Sequence, residues 1–143
     1  MQLVPEDFDV PAGLETDRFR LRMLSVRDLV PDFEAIHEQA SKEGKYLGAP
    51  GLTLEQNLVD LGWHEKEFQL RRSFAYTVVA PDESRVLGCV YLYPDEDSDV
   101  RVLMWVRREA WEAGLDSELE RTVRSWIAER WPFAYVAYPG RDG

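Results

Sequence analysis

The sequence is poor in the residue types that build disulfide frameworks and metal sites. Its single cysteine, Cys89, cannot form a disulfide within one chain. The only two histidines, His37 and His64, lie far apart and make no recognisable metal-ligand set. No apolar run approaches the roughly 20 residues that a membrane-spanning helix needs, and Met1–Val10 lacks the basic start and apolar stretch of a secretory signal. We therefore expect a cytoplasmic protein without a bound metal and without a membrane partner.

Positive charge is also scarce. Lys and Arg number 17 against 27 Asp and Glu, and the formal net charge is -10. A field of that sign repels the phosphate backbone of nucleic acids, so we expect no nucleic-acid partner. The length of 143 residues and the hydrophobic content of 45% suit one folded domain. We expect an irregular N-terminal lead-in over residues 1–15 and a single domain over residues 16–143.

Hydrophobic periodicity divides the chain into strands and helices. Alternation and β-branched or aromatic runs predict strands over residues 18–24, 74–79, 86–93, 100–106 and 134–138. Helical spacing predicts helices that begin at Ser25, at residue 54 and at residue 115, and that end near Ala40, residue 71 and Pro132. Capping boxes at Ser25–Asp28 and Thr53–Gln56 support the first two starts. The order β-α-α-β-β-β-α-β predicts an α+β fold with helices on the faces of a sheet.

Two stretches resemble the GCN5-related N-acetyltransferase (GNAT) superfamily. Residues 86–90, Val-Leu-Gly-Cys-Val, resemble its third strand, and Leu103–Val106 followed by Gly114 and Leu115 resembles its fourth strand, pyrophosphate loop and third helix. The resemblance implies a central mixed sheet flanked by helices that lacks the family's C-terminal helix and last two strands. It also implies acetyl-CoA or another acyl-CoA as co-substrate. The implied reaction is direct transfer of the acetyl group to an amine of a small molecule or an N-terminus.

The resemblance also implies a cofactor site. In the family, the fourth strand pairs with the pantetheine arm, and amides at the following helix start hold the pyrophosphate. Asp116, however, puts a carboxylate where a phosphate oxygen should approach. The alternative is that Asp116 or Ser117 caps the helix without any phosphate. The implied cofactor-binding residues are Trp105, Val106, Arg107, Arg108, Ala113, Gly114, Leu115, Asp116 and Ser117.

The residues that would move protons match the family's pattern less well. The place of the family's basic glutamate falls at or near Arg101, and arginine stays protonated in proteins. The remaining catalytic candidates are His64, Asp99 and Tyr138. Each has an ordinary alternative role: a half-exposed histidine on a charged helix, a member of a solvated acidic loop, and a tyrosine packed in a strand.

Two functions therefore stay open at the level of sequence. The first is the GNAT-type N-acyltransferase, and the second is a non-catalytic GNAT-like module that binds a ligand or another protein. The strand at 134–138 is predicted to be a sheet edge, and proteins rarely leave an apolar edge bare. A second copy of the chain that covers this edge would give a homodimer, and the lead-in would cover it within one chain.

Overall fold

A computed structural model describes residues 1–142. The elements are β1 Gly13–Glu15, β2 Arg20–Met23, α1 Leu29–Ile36, β3 Gln39–Ala40, α2 Leu54–Gln69, β4 Phe74–Val79, β5 Val86–Tyr93, β6 Val100–Arg107, α3 Arg108–Glu112, α4 Leu115–Arg130 and β7 Val136–Ala137. The sheet has the order β1-β2-β4-β5-β6-β3, with β7 also paired to β6. Because β6 and β7 run parallel and the other pairs antiparallel, the sheet is mixed, which confirms the predicted fold class. Across residues 1–142, no helix has the length and apolar character to cross a membrane.

Each face of the sheet supports its own hydrophobic core, because successive side chains of a strand point to opposite faces. Tyr76 of β4 and Val102 of β6 belong to the core that packs against α4. Ala75 of β4 and Trp105 of β6 belong to the core that packs against α1 and α2, where Leu61 is buried. The central strands are therefore covered on both sides.

The two predicted capping boxes are present. The Thr53 hydroxyl accepts a hydrogen bond from the Gln56 amide at 3.1 Å, and the Gln56 side chain accepts one from the Thr53 amide at 2.9 Å. The box at Ser25 and Asp28 closes a single 3-10 turn that leads into α1. The first helix is shorter than predicted, because Ala40 pairs with β6 as part of β3.

The lead-in is more ordered than expected. Gly13–Glu15 forms β1 on β2, and Val4 is buried in the core on the α4 side. The Tyr76 hydroxyl donates a hydrogen bond to the Pro11 carbonyl at 2.7 Å. The apolar residues of the lead-in are few and are interrupted by proline, so they show no strand or helix period. Their place in the core is visible only in the folded structure. The lead-in extends the opposite edge of the sheet and does not cover β7.

The last strand is shorter than the predicted 134–138. β7 pairs with β6 only through Val136 and Ala137. The amides of Ala134 and Tyr135 instead donate to the Asp99 carboxylate at 2.8 and 2.9 Å, which diverts them from a strand ladder. A homodimer through this edge stays a prediction.

Candidate functional site

The candidate site lies along the outer edge of β6, by which we mean its backbone groups on the side away from β5. This is the edge that the resemblance assigns to the pantetheine arm. β7 pairs with it at Val100 and Arg101, and β3 pairs with it at Val106 and Arg107. Between them, the Met104 carbonyl accepts a hydrogen bond from the Arg141 guanidinium at 3.2 Å. The chain's own groups therefore occupy this edge at its start, middle and end.

The segment that contains β3 is held in place by further contacts. The Arg108 amide donates to the Glu38 carbonyl at 2.7 Å, just beyond the end of β6. The Trp111 indole N–H donates to the Lys42 carbonyl at 2.9 Å. Gly44 has a φ of +86°, and a Cβ atom there would lie 2.5 Å from the Trp111 ring. Only glycine fits this close approach without strain, so residues 38–44 are packed firmly against β6 and α3.

Arg107 is a structural ion-pair residue in this arrangement. Its side chain is 1% exposed, and its guanidinium donates to the Val86 carbonyl at 3.1 Å. It also contacts the carboxylates of Glu34, at 3.0 Å, and of Glu38. A buried charge normally requires such pairing. The guanidinium is therefore already engaged by groups of this chain.

Arg108 is also engaged. Its guanidinium lies 5.7 Å from the ring centroid of Tyr46 and 3.4 Å from the Glu112 carboxylate. Unlike Arg107 it is exposed to solvent. The two arginines expected to offset the charge of a pyrophosphate thus have partners within the chain.

The start of α4 is where the resemblance places the pyrophosphate. The N-cap is Gly114, with a φ of 83° and no side-chain cap, so the predicted self-capping by Asp116 or Ser117 is wrong. The Asp116 carboxylate is buried and accepts two hydrogen bonds from the Arg141 guanidinium, at 2.8 and 2.9 Å. Burial disfavours the charge of Arg141, but its hydrogen bonds to Asp116 and Glu120 outweigh burial and raise its pKa. Ser117 is exposed, and Leu115 is buried in the core.

These residues do not fit an acyl-CoA bound along β6. The pantetheine arm would have to replace β3 and the Arg141 hydrogen bond, both of which the structure already contains. The Arg141 guanidinium near the start of α4 is already paired with Asp116 and Glu120, so it is not available to a pyrophosphate.

His64 lies against the aromatic residues of β5 rather than on an exposed surface. Its side chain is 5% exposed, and its ring centroid lies 5.3 Å from that of Tyr91. Its Nε2 atom is 3.4 Å from the Asp60 carboxylate. This position is on the α1 and α2 side of the sheet, because Tyr91 packs on that core.

The other two catalytic candidates lie elsewhere. Asp99 is exposed, and its carboxylate holds the amides that precede β7. Tyr138 is buried in the core on the α4 side, where burial raises its pKa to about 12. The Arg124 guanidinium lies 3.9 Å from its ring centroid. The structure therefore does not bring His64 and Tyr138 together, since they lie on opposite faces of the sheet.

A pocket that sequence reasoning missed lies at the other end of β6. Its volume is about 440 Å³, and it is open to solvent beside α2. Tyr93 and Arg101 are cross-strand partners, so their side chains share one face, and the guanidinium lies 5.6 Å from the centroid of the ring. The alternation of β5 and β6 is visible in the sequence, but the register that pairs these two residues is not. The lining residues are Trp63, Glu67, Ser73, Tyr93, Pro94 and Arg101.

Comparison with solved structures identifies the fold. No family model and no curated protein matches the chain. Thirty-six chains of solved structures do match. They include the ribosomal-protein-S5-alanine acetyltransferase from Vibrio fischeri, with a TM-score of 0.60 and 15% identity over 83% of this chain and 67% of that one. They also include FdhC, a nucleotide-linked sugar GNAT, with a TM-score of 0.62 and 15% identity over 87% of this chain and 70% of that one.

A GNAT-family acetyltransferase from Bacillus anthracis matches with a TM-score of 0.57 and 14% identity, over 82% of this chain and 67% of that one. The chain spans 63% of the length of a further matched structure, at a TM-score of 0.61. At these identities the likeness concerns the fold. The chain has the GNAT fold, as the sequence resemblance indicated.

Proposed function

We propose that this chain is a non-catalytic module with the GNAT fold, which binds a ligand or another protein and does not use acyl-CoA. One observation carries the proposal: the outer edge of β6 is bonded by β7, Arg141 and β3. A strand edge that is already paired offers few backbone groups to a pantetheine arm. Entry of the cofactor would cost the hydrogen bonds that it displaces.

The charges near α4 favour the same function. Arg141 is enclosed by the carboxylates of Asp116 and Glu120, so its charge is neutralised within the chain. The net charge of -10 adds a field that disfavours an anionic cofactor. The three arginines that line the cavity beside Ala113 and Leu115 are likewise paired with acids: Arg18 with Glu118, Arg85 with Glu109 and Arg107 with Glu34.

Thermal unfolding with and without millimolar acetyl-CoA tests the proposal. We expect no change in Tm. A ligand present at 100 times its Kd stabilises the folded state by about 2.7 kcal/mol, which corresponds to a rise of several degrees. Such a rise in the unaltered chain would contradict the proposal.

A matched pair of variants tests whether occupation of the outer edge of β6 is what excludes acyl-CoA. Arg141→Ala removes the group that bonds the middle of the outer edge, whereas the control Arg121→Ala removes an exposed arginine of α4. If Arg141→Ala gains a Tm response to acetyl-CoA and Arg121→Ala does not, occupation of the edge is what excludes the cofactor. An equal response in both variants would mean that the Arg141 hydrogen bond to the edge is not what excludes the cofactor.

A second candidate is the N-acyltransferase itself, acting on an amine of a small molecule or an N-terminus. The observation that favours it is the start of α4, where Gly114 leaves the first amides without a side-chain cap, as in a phosphate-binding helix start. This function needs β3 and Arg141 to move away from β6. It predicts a Tm rise with acetyl-CoA that the substitution Gly114→Glu abolishes.

A further inference from the structure

We propose that the pocket beside Trp63 and Tyr93 binds a small carboxylate through Arg101. The apolar part of the ligand lies against the two aromatic rings. This inference goes beyond the proposed function, since it assigns a ligand class to a site at the start of β6. It does not depend on whether acyl-CoA binds at the outer edge.

The first argument is the state of Arg101. Its side chain is exposed, and within residues 1–142 it forms no salt bridge. It lies over the Tyr93 ring instead, with 5.6 Å between the guanidinium carbon and the ring centroid. A guanidinium has five N–H donors in a planar fork that matches a carboxylate. In this position the ring orients the guanidinium while its donors stay available.

The second argument is the aromatic wall. Trp63 is 48% exposed, although an indole gains much from burial. Tyr93 is held in place by Tyr91, whose ring is 5.6 Å away and nearly parallel at 8°. Ligand pockets are typically apolar concavities with a few well-placed polar groups. This pocket has that composition, with two charged side chains, Glu67 and Arg101, among the residues that line it.

The charges of the pocket favour a carboxylate over an ammonium group. The Glu67 carboxylate is already bound by Arg72, at 2.6 and 3.0 Å, and its side chain is largely buried. Burial raises the pKa of Tyr93, so its phenol stays neutral and adds no negative charge. Among the described residues that line the pocket, Arg101 is therefore the charged group without a partner of opposite charge.

The test uses 3-phenylpropionate and its neutral analogue 3-phenylpropionamide, titrated into the full chain by calorimetry. We expect the carboxylate to bind about tenfold more tightly, the difference that a hydrogen bond to a charged group typically makes. Arg101→Gln should remove this preference, and Arg101→Lys should keep part of it. Arg121→Gln removes the same charge from α4 and should leave the preference unchanged. Unaltered Tm values establish that the variants fold.

Several results would overturn the inference. The first is equal affinity for the two probes in the unaltered chain, and the second is no binding of either probe. The third is an equal loss of the carboxylate preference in Arg101→Gln and Arg121→Gln. Tighter binding of 2-phenylethylammonium would assign the pocket to cations through Glu67. A Tm response to acetyl-CoA would contradict the proposed function but leave the carboxylate preference intact, so the two failures are distinguishable.

Discussion

Arg101 and Arg107 stand on the same face of β6, at opposite ends of the strand, and the structure uses them differently. Arg107 is buried and contacts two carboxylates and the Val86 carbonyl. Arg101 is exposed above the Tyr93 ring. Within residues 1–142, acids of the chain engage the donors of Arg107 but form no salt bridge with Arg101, which leaves the Arg101 donors for the proposed ligand.

Of the two arginines, Arg107 should be the more costly to replace. Arg107→Met should lower the free energy of unfolding by about 3 kcal/mol, because removal of one partner disrupts a buried ion pair. We expect the lower end of the usual range, since Glu34 is 60% and Glu38 39% exposed and both can be rehydrated. Urea denaturation measures the loss.

Arg101→Met is the matched control for that experiment. A surface substitution away from buried contacts should change the free energy of unfolding by less than about 0.5 kcal/mol. Equal losses in the two variants would mean that the two ends of β6 are equally structural.

A comparable effect concerns the outer edge. Arg141→Ala should destabilise the fold by about 3 kcal/mol, because it leaves the buried Asp116 carboxylate without its partner. The double variant with Asp116→Ala should recover about 1 kcal/mol of this loss, since it removes the unpaired charge. A double-mutant cycle from urea denaturation gives the coupling energy. Strictly additive losses would show that the pair does not hold the edge closed.

The smallest expected effect is a pH dependence of the stability that the Arg141–Glu120 ion pair contributes. Burial tends to raise the pKa of Glu120, but hydrogen bonds from Arg141 and Arg124 outweigh it and lower the pKa below the ordinary value of 4.5. The folded state thus binds fewer protons than the unfolded state, so this stability is present above about pH 4.5 and is lost as the pH falls through the lowered pKa. The stability difference between the unaltered chain and Arg141→Gln should therefore narrow in acid. Urea midpoints at about pH 7 and about pH 3.5 measure it, and Arg101→Gln should show no such narrowing.

Local structure was predictable because its signals are local. The capping boxes at Thr53 and Ser25 and the strands at 74–79 and 86–93 follow from neighbouring residues, and the structure contains them. β3 was not predictable, since two residues carry no period and their pairing with β6 spans a long stretch of chain. For the same reason the sequence pointed to β6 and α4 as a cofactor site without showing what lies against them.

By itself, the sequence determined the order of strands and helices and the GNAT resemblance of Leu103–Leu115, because hydrophobic periodicity and caps act between near neighbours. Only the tertiary structure decided that β3 and Arg141 occupy the outer edge of β6. Within residues 1–142, folding also leaves Arg101 over Tyr93 without a salt bridge, while Arg107 is paired with two acids. The physical reason is that ion pairs and strand register join residues far apart in the chain, and a side chain's charge acquires its role only from the partners that folding brings to it.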